Sequence, residues 1–181
     1  MKRTIVALAL ATLALTVASC STRRPPPRPT TPARPPAPVA PAIAATPADY
    51  VAAAASIDLF VVRASDMALA RGGERNVAVV ARRLADEHRG LAAQLSMAGR
   101  RLDALPRSAL APRDEQRLAR LAASAAFDSA YLVQMNAAHD RSLALHATFA
   151  QRGSSATLRP VAANGARVER AHLALLGRGR A

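Results

Sequence analysis

The chain has 181 residues, a formal net charge of +13, a single cysteine, no tryptophan and five tyrosine and phenylalanine side chains together. The length accommodates one domain with appendages, and a lone thiol excludes a disulfide framework. Six of the 25 basic residues precede residue 47, leaving 19 arginines against all 12 acids. That excess draws a folded part toward anionic surfaces, but with no aromatic platform or recognition motif it does not describe a nucleic-acid reader.

The first twenty residues, MKRTIVALALATLALTVASC, open on Lys2 and Arg3, continue as an apolar run from Ile5 to Val17 and end in small residues before Cys20. This is the build of a secretory signal, too short and wrongly flanked for a membrane span. Val17-Ala18-Ser19-Cys20 resembles the lipobox of bacterial lipoproteins, which implies acylation of Cys20 as the mature N-terminus. Ser21 in place of an aspartate resembles sorting to the outer membrane, on its periplasmic face. Several acyl chains anchor a protein where one alone binds marginally.

Residues 20–46 carry nine prolines, from Pro25 to Pro41, with Arg23, Arg24, Arg28 and Arg34 and no acid. Such a segment forms neither helix nor central strand and is expected to be an extended, solvated tether.

From Pro47 the composition turns alanine-rich without strand-like alternation. Thr46 reads as an N-cap followed by proline in the first turn. The first helix is predicted over 47–71, stopping at Gly72-Gly73, and the second from about Glu74 to Gly99. Pro106 and Pro112 bracket a linker. A third is predicted from Pro112 to about Gln151, and a fourth opens at Ser154 or Ser155, is broken early by Pro160 and closes near Gly177. The fold class expected for residues 47–181 is therefore all-α, an antiparallel four-helix bundle.

Helical phase places polar groups among the apolar ones. Val77, Leu84, His88, Leu91 and Leu95 share one stripe of the second helix. Asp128, Leu132, Met135, His139 and His146 fall on that of the third, and Val161, Gly165, Val168, His172 and Leu176 on that of the fourth. Asp58 shares a face with Ala54, Val61 and Ser65 on the first. Inward imidazoles and acids on facing helices are how metal sites are built in bundles. Hence His88, His139, His172, Asp58 and Asp128 are the candidate metal ligands. The competing reading has each histidine bonded to a buried carboxylate or carbonyl, stitching helices together. His139 and His146 are about 10 Å apart along one helix and do not share an ion. The paired Glu-x-x-His motif of a dicarboxylate-bridged di-iron site is absent: Glu169-x-x-His172 stands alone, because Ala85 occupies the matching place before His88. No serine lies in an elbow that would activate it, and no glycine run cradles phosphate. Gly165 is expected to admit a close neighbour.

The stretches SIDLFVVRASDMALARG, VARRLADEHRGLAAQL, FDSAYLVQMNAAHDRSLALH and TLRPVAANGARVERAHLALL resemble the ferritin-like bacterial family called domain of unknown function 4142, over about residues 48–177. The resemblance implies a ferritin-like bundle and no established activity. The family's glutamate soon after the first-helix Asp-x-Phe is missing, since Val61 follows Asp58-Leu59-Phe60, and Glu87 stands where an aspartate is usual before His88.

The leading expectation is an envelope lipoprotein acting as a non-catalytic binding or structural module without a cofactor. Its partners would be the membrane, through its lipid, and an envelope protein or anionic lipid surface. The alternative is a ferritin-like metal-binding protein holding a transition-metal ion between helices. A membrane-surface sensor would need the arginines gathered on one outward face.

Overall fold

A computed structural model describes residues 46–178. The expected signal, the acylated Cys20 and nearly all of the tether lie outside them. Every regular element among the described residues is helical: α1 (Pro47–Arg71), α2 (Arg75–Arg100), α3 (Pro112–Ala122), α4 (Phe127–Arg152) and α5 (Leu158–Arg178). None is long and apolar enough to cross a membrane.

The ends of α1 follow their local chemistry. Thr46 Oγ1 accepts from the Asp49 amide at 3.1 Å, satisfying one of the unpaired donors of the first turn. Gly72 closes the helix in the left-handed region at φ 63°, where a glycine has no Cβ to clash.

Two expectations about the later helices need correction. The helix predicted over 112–151 is two helices, broken at Ala123–Ala126. No proline or glycine marks the break; Ser124 instead closes a tight turn by donating its amide to the Leu121 carbonyl. Pro160 does not break α5. It occupies the third helical position, within the first turn, where the absent N–H has no intrahelical partner to lose.

Helices α1 and α2 pack together, as do α4 and α5, and the pairs meet through α1 against α4 and α2 against α5. Buried alanines at 54, 64, 68, 81, 85, 138 and 162 let the backbones approach, while Tyr50, Phe60, Leu84, Leu95, Tyr131, Met135 and Leu176 fill the space. Tyr131 and Ser65 share a buried hydrogen bond of 2.9 Å between their hydroxyls. Short α3 lies against α1 and α4, held by a buried knot. Ser56 Oγ donates to Asp114 Oδ2 at 2.7 Å and accepts from the Ala111 amide, and Arg141 donates to Asp114 Oδ1 at 2.6 Å.

Candidate metal centre

Three imidazoles and one carboxylate from three helices meet inside this frame. His88 comes from α2, His139 from α4, and Glu169 and His172 from α5, and all four residues are completely buried. Each offers one ligand atom, and these atoms lie within 4.8 Å of one another. Glu169 and His172 reach the same place because residues three apart share a helix face. The Nε2 atoms of His88 and His139 are 3.2 Å apart. Two nitrogens each about 2.1 Å from a shared ion, at angles between octahedral and tetrahedral, would lie about 3.0–3.4 Å apart. Glu169 stands slightly farther out, its oxygens 3.8 Å from each of those nitrogens.

Each histidine is oriented by its other nitrogen. His88 Nδ1 lies 2.8 Å from Asp58 Oδ1, His139 Nδ1 2.7 Å from the Met135 carbonyl oxygen, and His172 Nε2 2.7 Å from Glu87 Oε2. Carboxylates and carbonyls only accept, so in each pair the ring nitrogen is the donor. The inward nitrogens of His139 and His172 then carry lone pairs. Glu169 Oε1 accepts from Ser142 Oγ at 2.9 Å. An outer partner on every ring, fixing tautomer and orientation, is the usual support of a metal-binding imidazole.

The interior of the cluster is under-satisfied. His172 Nδ1 and Glu169 Oε2 are buried without a hydrogen-bond partner among the described residues. Burial pushes the Glu169 carboxyl up to about 7, against the opposing influence of His88 and Ser142. Burial, aided by the charge of His88, brings His172 down to about 4 despite Glu87. Burial and the neighbouring His88 hold His139 well below the ordinary histidine range. Burial also opposes charge on His88, but its bond to Asp58 and the charges of Asp58, Glu169 and Glu87 outweigh it and raise that pKa. These influences favour the charged form of His88, in which a second ring proton on Nε2 would point at the lone pair of His139.

The structure distributes the sequence candidates unequally. His88, His139 and His172 converge. Asp58 adjoins them as the outer partner of His88 rather than as a member of the inner four. Asp128 is elsewhere: at the start of α4 it accepts from the Glu74 amide at 2.8 Å, where a Cβ on Gly73 would collide with it. Its assignment to the cluster is corrected on that ground. His146 forms a separate pair, its Nδ1 2.9 Å from the Tyr50 hydroxyl, with its ring lying against Gly165 as that glycine's small size suggested. Sequence reasoning passed over Glu169 as a ligand, although its spacing from His172 was the signal. It also passed over Ser142 and the role of Glu87. Val61, which follows Asp58-Leu59-Phe60, is buried in the apolar core.

The family model described as a domain of unknown function (DUF4142) matches residues 32–177. The chain belongs to that family. No curated protein and no solved structure matches it.

Proposed function

Membership of a family without an assigned activity leaves the site to speak for function, and we propose that this protein binds a single first-row transition-metal ion. The inward nitrogens of His88, His139 and His172 and the carboxylate of Glu169 are its ligands, on an antiparallel, ferritin-like bundle formed by α1, α2, α4 and α5. One observation carries the reading: two buried, unpartnered acceptors, Glu169 Oε2 and His172 Nδ1, face the same small space as the paired Nε2 atoms. Leaving such groups unsatisfied costs about 1–3 kcal/mol each, and a cation satisfies both. Three imidazoles with one carboxylate suit zinc, iron, copper or nickel. Such an ion, when bound, supplies Lewis acidity or electron transfer. The chain's own residues orient the ligands and exclude water, with Asp58, the Met135 carbonyl, Glu87 and Ser142 fixing the four donors. Complete burial of the ligands favours holding an ion over turning over a substrate.

Elemental analysis of the full-length chain, purified without a histidine tag, tests this. The expected result is one ion per chain, lost in His139→Ala and His172→Ala. Protein without stoichiometric metal, melting identically with chelator and with added zinc, would overturn it.

We further read residues 1–19 as the signal, Cys20 as the acylated residue and residues 20–46 as the spacer that sets the bundle off the membrane. The support is the order Lys2-Arg3, apolar run and Val17-Ala18-Ser19-Cys20, followed by nine prolines. Metabolic labelling with a palmitate analogue, abolished by Cys20→Ser, is the check; a label that persists in the variant refutes the assignment.

A further inference from the structure

The α2–α5 seam opens into a cleft of ≈ 400 Å³ lined by Arg83, Glu87, Gly90, Gln94, Asn164 and Arg167, among others. Two polar bridges cross the seam. Glu87 meets His172 at 2.7 Å, and Asn164 donates to Gln94 Oε1 at 2.9 Å. Rising number on α2 therefore pairs with falling number on α5, and the helices run in opposite directions. Halfway between the bridges α2 carries Gly90, facing the level of Arg167 and Val168. A Cβ at Gly90 would meet nothing within 4 Å, and its backbone is ordinary helix without positive φ. Glycine inside a helix is destabilising relative to alanine, and here neither packing nor backbone geometry requires it.

The polar lining is biased toward donors. Arg167 donates to Asn164 Oδ1 at 2.8 Å, and Gln94 Oε1 accepts from Asn164. Both amide oxygens are thus engaged, while amide and guanidinium N–H groups remain for a ligand. Glu87, the one acid of the lining, is bonded to Arg83 on one oxygen and His172 on the other. Two guanidiniums against one engaged carboxylate leave the cleft net positive.

We propose that this cleft binds a small oxyanion, phosphate in character, seated over Gly90 and held by Arg167 and Arg83 with the amides of Gln94 and Asn164. Guanidinium forks match the oxygens of such a group in geometry as well as charge. The same chemistry is offered by a free phosphate and by a phospholipid headgroup. The inference does not depend on the metal reading, because no residue placed among the inner ligands contributes to the cleft.

The test uses the full-length chain without added metal. Inorganic phosphate is titrated at constant ionic strength while the Gly90 amide and arginine Nε resonances are followed by NMR. Saturable shifts are expected at Gly90 and Arg167, weakened up to about five-fold in Arg167→Gln. Gly90→Ala is the discriminating variant: its methyl enters the cleft, so it should lose the phosphate response while melting about 2–6 °C higher. In a second arm, vesicles of phosphatidylglycerol and of phosphatidylcholine are compared by sedimentation. Binding to the anionic vesicles that falls in both variants identifies a headgroup, and phosphate shifts alone identify a free anion. Shifts spread equally over arginines away from the seam, or unchanged by both substitutions, overturn the proposal, as does no response in either arm.

Discussion

Replacing Glu169 by glutamine separates what the carboxylate costs the fold from what it gives the site. In the metal-free protein burial raises this carboxyl from 4.5 to about 7. The unfolded chain releases the proton near 4.5, whereas the folded one keeps it until about 7. Stability is therefore full below pH 4.5 and declines as pH rises through the folded pKa. The shift spans two to three units at about 1.4 kcal/mol each, so the loss above pH 7 is about 3 kcal/mol. Glutamine keeps the volume and still accepts from Ser142, but it has no charge to strand. Metal-free Glu169→Gln should match the parent near pH 4.5 and exceed it by up to about 3 kcal/mol at pH 8, measured by urea denaturation with chelator present. Zinc should reverse the order: at a thousand-fold excess over Kd the parent gains about 4 kcal/mol, and the variant, deprived of its anionic ligand, much less. A variant less stable than the parent at both pH values without metal, or one that gains equally from zinc, would refute the reasoning.

Other perturbations probe the surroundings. Asp58→Asn and Glu87→Gln, which weaken the outer partners of His88 and His172, should each lower zinc affinity about 10–100-fold in competition titrations without loss of helical circular dichroism. Burial holds His146 down to about 4, so the unfolded chain takes up its proton near 6.5 and the folded one does not. This contribution, about 3 kcal/mol, is present above pH 6.5 and lost between 6.5 and 4; His146→Leu should flatten that part of the urea-midpoint profile. Gly165→Ala places a Cβ 2.8 Å from atoms of the His146 ring, about 1 Å closer than ordinary contact, and should destabilise by about 1–3 kcal/mol in the same assay. Asp114→Ala leaves buried Ser56 and partly buried Arg141 without their acceptor and should cost about 3 kcal/mol.

The sequence displayed helices more clearly than it displayed their joints. The span predicted for α1, 47–71, and its Thr46 cap are as observed, because proline, threonine and the Gly72-Gly73 pair punctuate that helix. The break between α3 and α4 had no such mark. Ala122, Ala123, Ala125 and Ala126 are good helix formers, and only tertiary contacts, the Asp114 knot among them, reveal that the chain turns there. The misplacement of Asp128 has another cause. It shares a face of α4 with His139, but eleven residues at about 1.5 Å each set it about 16 Å away along the helix axis, at the start of α4 beside the α1–α2 joint. Glu169 is visible in the sequence, but its Glu-x-x-His spacing reads there as half of a paired motif rather than as two donors to one ion.

The carboxylates also bear on how many ions fit. A second ion would need a bridging acid, and the positions near enough to supply one are otherwise engaged. Val61 is apolar and packed in the core, and Asp58 is committed to the outer nitrogen of His88. Glu169 is left as the single carboxylate of the inner set. Around it, however, Asp58 and Glu87 bring the nearby acids to three, all linked to the cluster through hydrogen bonds or close approach. Buried charge is tolerated when it is paired, and in the metal-free protein even a protonated His88 offsets only part of this set. A divalent cation offsets more, and it does so at the point where two nitrogen lone pairs and an unpartnered carboxylate oxygen already face one another. Charge and ligand number therefore agree on one ion. The same arithmetic forecasts that zinc binding displaces protons from His88 and Glu169, so that affinity should fall as pH drops below about 7. Proton release measured by calorimetry in buffers of different ionisation heat would record it, and binding without proton release at pH 6 would contradict the ligand assignment.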